Sequence, residues 1–199
     1  WTKPYDPAYK EKGMNVYEWM LQFSKGAVTA PPPPTPPPGN KRITVPPNNF
    51  RQLYYPDVMK TLNIQPGDTL CIAAGDYDYI YFSKLQGTAD KPIVIMNCGG
   101  LVRVGVNSTS SNGAFVLSQS KHFKIEGTGH PGLEYGFDVN GTNAKGQIMF
   151  GFFLGDGCTD YDMHHIYIHD CGTFVQAKTI QTCAHPEWLE GSFVMRNVK

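Results

Sequence analysis

"PGDTLCIAAGDYDYIYFSKLQGTADKPIVIMNCGG", Pro66 to Gly100, decides how the rest of the chain is read. It holds three short runs, "TLCIAA" (69–74), "YIYFSKL" (79–85) and "PIVIMNC" (92–98), rich in β-branched and aromatic residues and parted by Gly and Asp. Pro66 and Gly67 make a tight turn into the first run. Helical periodicity is almost absent from Lys41 onward. Runs of the same kind continue as "AFVLS" (114–118), "HFKIEG" (122–127), "GFDVNG" (136–141), "IMFGFFLG" (148–155), "HIYIHDC" (165–171) and "SFVMRNV" (192–198). Two of them alternate cleanly: Phe123 and Ile125 face away from His122, Lys124 and Glu126, and Ile166 and Ile168 oppose His165, Tyr167 and His169. One face of each strand is therefore expected to be wet.

A β-sandwich also consists of many short strands, so the linkage between runs matters. "KHFKIEGTG", "HHIYIHDCG" and "GSFVMRNV" share a polar-apolar alternating core, which suits stacked repeats with variable loops. A hairpin-type Asn-Gly turn occurs only in "VNGT", which weakens a meander without removing it. The stretch from Asn48 to Gly100, with "PGDTL", then Gly-Asp-Tyr, then "GTADKPIVI", resembles the start of proteins of the pectate-lyase-like superfamily. The resemblance runs from about Ile43 to Lys199 and is tightest over Pro66 to Gly100. It implies an all-β domain over 41–199, the first coils of a right-handed parallel β-helix, a solenoid whose open end is covered by about Asn49 to Leu62.

Composition sets the remaining bounds. The 199 residues are 41% hydrophobic and 13% aromatic, as a folded chain should be, and 17 Lys plus Arg balance 17 Asp plus Glu. No electrostatic footprint for nucleic acid or an anionic membrane follows from that balance. The longest apolar run, Ile148 to Leu154, falls far short of the ~20 residues of a membrane helix. Of five cysteines, none stands at C-x-x-C spacing, so buried thiols are the leading expectation and Cys158 with Cys171 the one disulfide considered. The sequons at Asn107 and Asn140 gain meaning only in an exported chain.

"APPPPTPPPGN", Ala30 to Asn40, carries seven prolines and reads as a polyproline II spacer about 25 Å long. Ahead of it, "GMNVYEWMLQFSK" (13–25) has a capping-box start at Asn15 and Glu18 and an apolar stripe of Val16, Met20 and Phe23, too short a helix to persist alone. "WTKPYDP" followed by "NVYEWMLQF" resembles the end of a secreted esterase of the α/β-hydrolase kind; an amphipathic helix without that ancestry fits the same residues. The organisation expected is thus 1–27 as the tail of such an esterase, 28–40 as linker, and 41–199 as the β-domain. No Gly-x-Ser-x-Gly elbow occurs in the chain, so the esterase nucleophile is not here. The chain opens on Trp1 and stops inside a strand-like run, which reads as a fragment at both ends, and no signal peptide is visible.

Members of the pectate-lyase-like superfamily mostly act on polysaccharides, so the resemblance implies a secreted or cell-surface, carbohydrate-active protein. Cleavage of a uronate polymer by β-elimination needs a base beside the proton to be taken and a cation, often calcium, on the substrate carboxylate. "GDGCTDYDMHHIYIHDCG" (155–172) is the densest candidate: Asp156, Asp160 and Asp162 for calcium, His165 and His169 for the base. Turn aspartates and surface histidines account for the same residues. Lys178 is a third candidate base, and Arg196 a candidate cation toward substrate. Tyr77, Tyr79, Tyr81 and Tyr167 could stack sugar rings, although strand tyrosines also pack on one another. The alternative function, from another class, is a non-catalytic module that binds polysaccharide or anchors the esterase to a surface.

Overall fold

The computed structural model describes residues 40–49, 51–105, 107–108 and 113–177, and the backbone of 193–198. The chain divides into two units, Trp1–Pro32 and Pro33–Lys199, and the described residues belong to the second. The esterase-like tail and the proline tract lie outside them, as does Lys178.

The elements run β1 (Arg42–Thr44), β2 (Gln52–Tyr55), α1 (Val58–Leu62), β3 (Thr69–Tyr77), β4 (Tyr79–Ser83), β5 (Ile93–Val104), β6 (Gly113–Ser118), β7 (Lys121–Glu126), β8 (Phe137–Asn140), β9 (Phe150–Gly155), β10 (Thr159–His169), β11 (Thr173–Ala177) and β12 (Phe193–Val198). All named strand pairs are parallel. A seven-stranded sheet has the order β1-β3-β5-β7-β10-β12, with β8 joined to both β5 and β10, and a five-stranded sheet has the order β11-β9-β6-β4-β2. The β-rich reading of the sequence stands on this.

The expectation of a right-handed parallel β-helix is corrected. The described strands form two parallel sheets, and they do not establish a solenoid of equivalent right-handed turns. One physical reason lies in β5 and β10, long strands that each carry β7 along one half and β8 along the other, so that the larger sheet branches. The expected covering segment is likewise not a separate lid. Gln52–Tyr55 pairs in register with β4 as the end strand of the smaller sheet, and α1 buries Val58 against the core.

The core follows from register. In parallel strands without slippage, equivalent positions stack into columns, and alternation puts every second column inside. Leu70, Ile95, Ile125 and Met163 form one such buried column in the larger sheet. Leu53, Ile80, Phe115 and Phe152 form another in the smaller. The two meet through rings: Phe115 stacks on Phe152 at 4.8 Å and meets Phe137 of β8 edge-on at 6.2 Å.

"PGD" has a local explanation. Gly67 sits at φ +92, where a Cβ would strike Asn40, and the buried Asp68 carboxylate accepts from Gln65 N at 2.8 Å and from Lys41 N at 2.9 Å. One side chain thus closes the turn and fastens β1 beside β3.

The cysteine expectation is corrected as well. Cys71 of β3 and Cys98 of β5 are disulfide-bonded, with Cα atoms 5.4 Å apart and a sequence separation of 27. Cys158 is a buried thiol and Cys171 a half-buried one. Closing a loop of that length is worth about 3 kcal/mol through the unfolded state. Cys71→Ala is expected to lower stability by that order in chemical denaturation, and reduction of the wild type should reproduce the loss.

Burial pushes the Cys158 thiol up to about 12, and burial also raises Tyr55, Tyr77 and Tyr161. All are neutral when protonated and keep the proton longer in the native state than in the unfolded one. Stability is therefore full below the unfolded values and falls as pH climbs from about 9 toward 12. Thermal melts across that range should show a steady decline, and Cys158 should resist alkylation at pH 8 until the protein unfolds.

Candidate functional site

The outer face of the larger sheet gathers several titratable side chains. Strands β3, β5 and β10 all bend partway along. At the bend β3 has Gly75 (φ +148) and β5 has Gly99 and Gly100 (φ +84 and +153), whereas β10 has His165 at φ +56. A left-handed residue with a Cβ costs on the order of 1 kcal/mol relative to glycine. His165 is one of nine non-glycine residues at positive φ among the described residues.

The bend also breaks the alternation. Tyr161 and Met163 point inward before it, and Ile166 and Ile168 after it, so Asp162, His164 and His165 all lie on the outer side. His164 is buried there, with its Nε2 3.5 Å from Glu126 Oε1 on β7 and its Nδ1 2.8 Å from His165 Nδ1. The three groups form a chain: carboxylate, imidazole, imidazole. A carboxylate only accepts, so a proton on His164 Nε2 is the arrangement that suits Glu126. In that tautomer His164 Nδ1 accepts from His165 Nδ1–H. The basic nitrogen of His165 is then Nε2. Lys124 stands two positions before Glu126, opposite Asp162 in register.

His169 differs. Its Nε2 lies 2.8 Å from Asp138 Oδ1 and its Nδ1 2.8 Å from Asp170 Oδ2. Both ring nitrogens are thus engaged by carboxylate oxygens. Tyr167 stacks on this ring at 4.9 Å and 17°.

The remaining candidates separate. Tyr77 does not join an outer stripe: it is buried, and its hydroxyl donates to Ala73 O at 3.0 Å, because the bend at Gly75 returns it to the core. Tyr79 and Tyr81 are on the outer face of the smaller sheet, on a different surface from the histidines. They stack at 6.3 Å, and Tyr81 stacks on Tyr54 at 5.0 Å. The middle ring, Tyr81, therefore stacks against a tyrosine on each side, and burial together with Tyr81 and Tyr54 pushes the Tyr79 hydroxyl upward. Asp156 accepts from Ser118 Oγ at 2.7 Å and Asp160 from Thr159 Oγ1 at 2.9 Å, both at positive φ. With Asp162 they do not converge, and among the described residues no three His, Cys, Asp or Glu side chains gather as a metal centre would need. Calcium thus rests on the resemblance alone. The backbone of Arg196 pairs with His164, while Lys178 is outside the described residues.

Glu126, His164, Asp138 and Asp170 were not singled out from sequence. Strict alternation assigns "HH" one inward and one outward ring, and only the bend puts both outside. The adjacent pair of histidines within one strand run was the available signal.

No protein-family model, no curated protein and no solved structure matches this chain. Among the described residues no helix is long and apolar enough to cross a membrane.

Proposed function

We propose that this domain binds an acidic polysaccharide on the outer face of its larger sheet and cleaves it by β-elimination, with His165 as the base. The carrying observation is the chain from Glu126 through His164 to His165, held at a backbone position where glycine would be cheaper. His165 Nε2 takes the proton next to the uronate carboxyl group. The electron pair of that C–H bond becomes the C4–C5 double bond, and the C4–O bond breaks with its oxygen gaining a proton from water. His164, oriented by Glu126, accepts the His165 Nδ1–H and stabilises the imidazolium that forms. Lys124 is the nearest lysine along β7 to offset the substrate carboxylate. The Cys71–Cys98 disulfide supports a secreted or cell-surface setting, since such bonds persist in oxidising compartments.

A second reading, binding without cleavage, is favoured by the state of His169, which is engaged at both nitrogens and so serves as a fixed surface group rather than a base. The two are told apart by incubating the full chain with pectate, alginate and glucuronan. Release of unsaturated product supports the lyase; retention on the polymer without product supports the binding module.

A further inference from the structure

One row of outward side chains crosses four strands of the larger sheet in register: Asp76 on β3, Arg103 on β5, Asp138 on β8 and Tyr167 on β10. At about 4.8 Å per strand it is a straight track across the sheet. Arg103 Nε donates to Asp76 Oδ1 at 2.6 Å, and Asp138 and Asp170 clasp His169. Tyr167 is 38% exposed, with one face on His169 and Tyr135 tilted beside it at 6.4 Å. An aromatic ring backed by a second ring and flanked by carboxylates is shaped for a flat, hydroxyl-rich partner: the ring takes the C–H face, and carboxylate oxygens accept from the hydroxyls. Each of Asp138 and Asp170 meets His169 through one oxygen and has a second to offer.

Charge decides which sugar. Asp138 and Asp170 both lie against His169, and the nearby Arg103 is already paired with Asp76, so carboxylates dominate the patch. A uronate carboxylate would be repelled here. We infer that the patch of Tyr167, His169, Asp138 and Asp170 is a subsite for a neutral sugar unit. The target polymer then mixes neutral and uronic sugars, the uronate falling at His165 and a neutral neighbour at Tyr167. This rests on the polysaccharide reading above, and its test is separate from that of cleavage.

The full chain is titrated by calorimetry with neutral hexasaccharides of glucose, mannose, galactose and xylose, and with hexagalacturonate. At least one neutral oligosaccharide should bind the wild type, and binding of the uronate should be unaffected by Tyr167→Ala. Tyr167→Ala and Asp138→Asn should each weaken binding of the neutral oligosaccharide about tenfold, while Tyr167→Phe, which keeps the stack, should retain binding. Matching circular dichroism of the variants excludes unfolding. Unchanged affinity for the neutral oligosaccharide in Tyr167→Ala, or no binding of any neutral hexasaccharide, overturns the subsite. None of these depends on whether His165 performs elimination, which is read from product formation on acidic polymers.

Discussion

Phe115→Ala is expected to destabilise the domain by about 3–5 kcal/mol. The ring is fully buried, stacks on Phe152 at 4.8 Å, and meets Phe82 and Phe137 edge-on at 6.1 and 6.2 Å. Phe137 belongs to the larger sheet and the other two to the smaller, so Phe115 is where the sheets share a core. Removing it opens a cavity that neither sheet can close without giving up its register. Against a typical total of about 5–15 kcal/mol, that loss is large. In urea unfolding the midpoint should fall accordingly. Phe174→Ala, at a ring 59% exposed, should stay within about 0.5 kcal/mol. A Phe115→Ala loss below about 1 kcal/mol would mean that the sheets do not pack through this ring.

His165→Gly separates strain from chemistry. Glycine relieves the left-handed backbone at φ +56, so stability should hold or rise by about 1 kcal/mol. Turnover should nevertheless drop by about 10²–10⁴, the ordinary worth of a positioned base. Glu126→Gln preserves shape but removes the charge behind His164, and should lower turnover less, while shifting the pH profile. A His165→Gly protein that is both more stable and fully active would leave the histidine without a catalytic role.

Much of the interior was legible because alternation is a local property. Phe123, Ile125, Ile166 and Ile168 are buried where the pattern put them, and Lys124, His165, Tyr167 and His169 face outward. What alternation does not carry is a bend. Tyr77 was assigned to the same stripe as Tyr79 and Tyr81, yet the bend at Gly75 and the break at Asp78 place it in the core. The same blindness hid His164 and its partner Glu126. The disulfide was illegible for another reason: Cys71 and Cys98 meet only because β3 and β5 are neighbours in register, which spacing alone does not reveal. Resemblance at Pro66 to Gly100 anticipated parallel β structure, but the solenoid expected from it gives way to two parallel sheets, the larger one branching at β8.

The most direct test follows absorbance of unsaturated uronate as the full chain acts on acidic polysaccharides, wild type beside His165→Gly, with binding to each polymer measured in parallel. The proposal predicts product from the wild type on at least one polymer and a loss of at least about a hundredfold in the variant with binding retained. Equal product from both proteins, or none from the wild type on any polymer it binds, would contradict it.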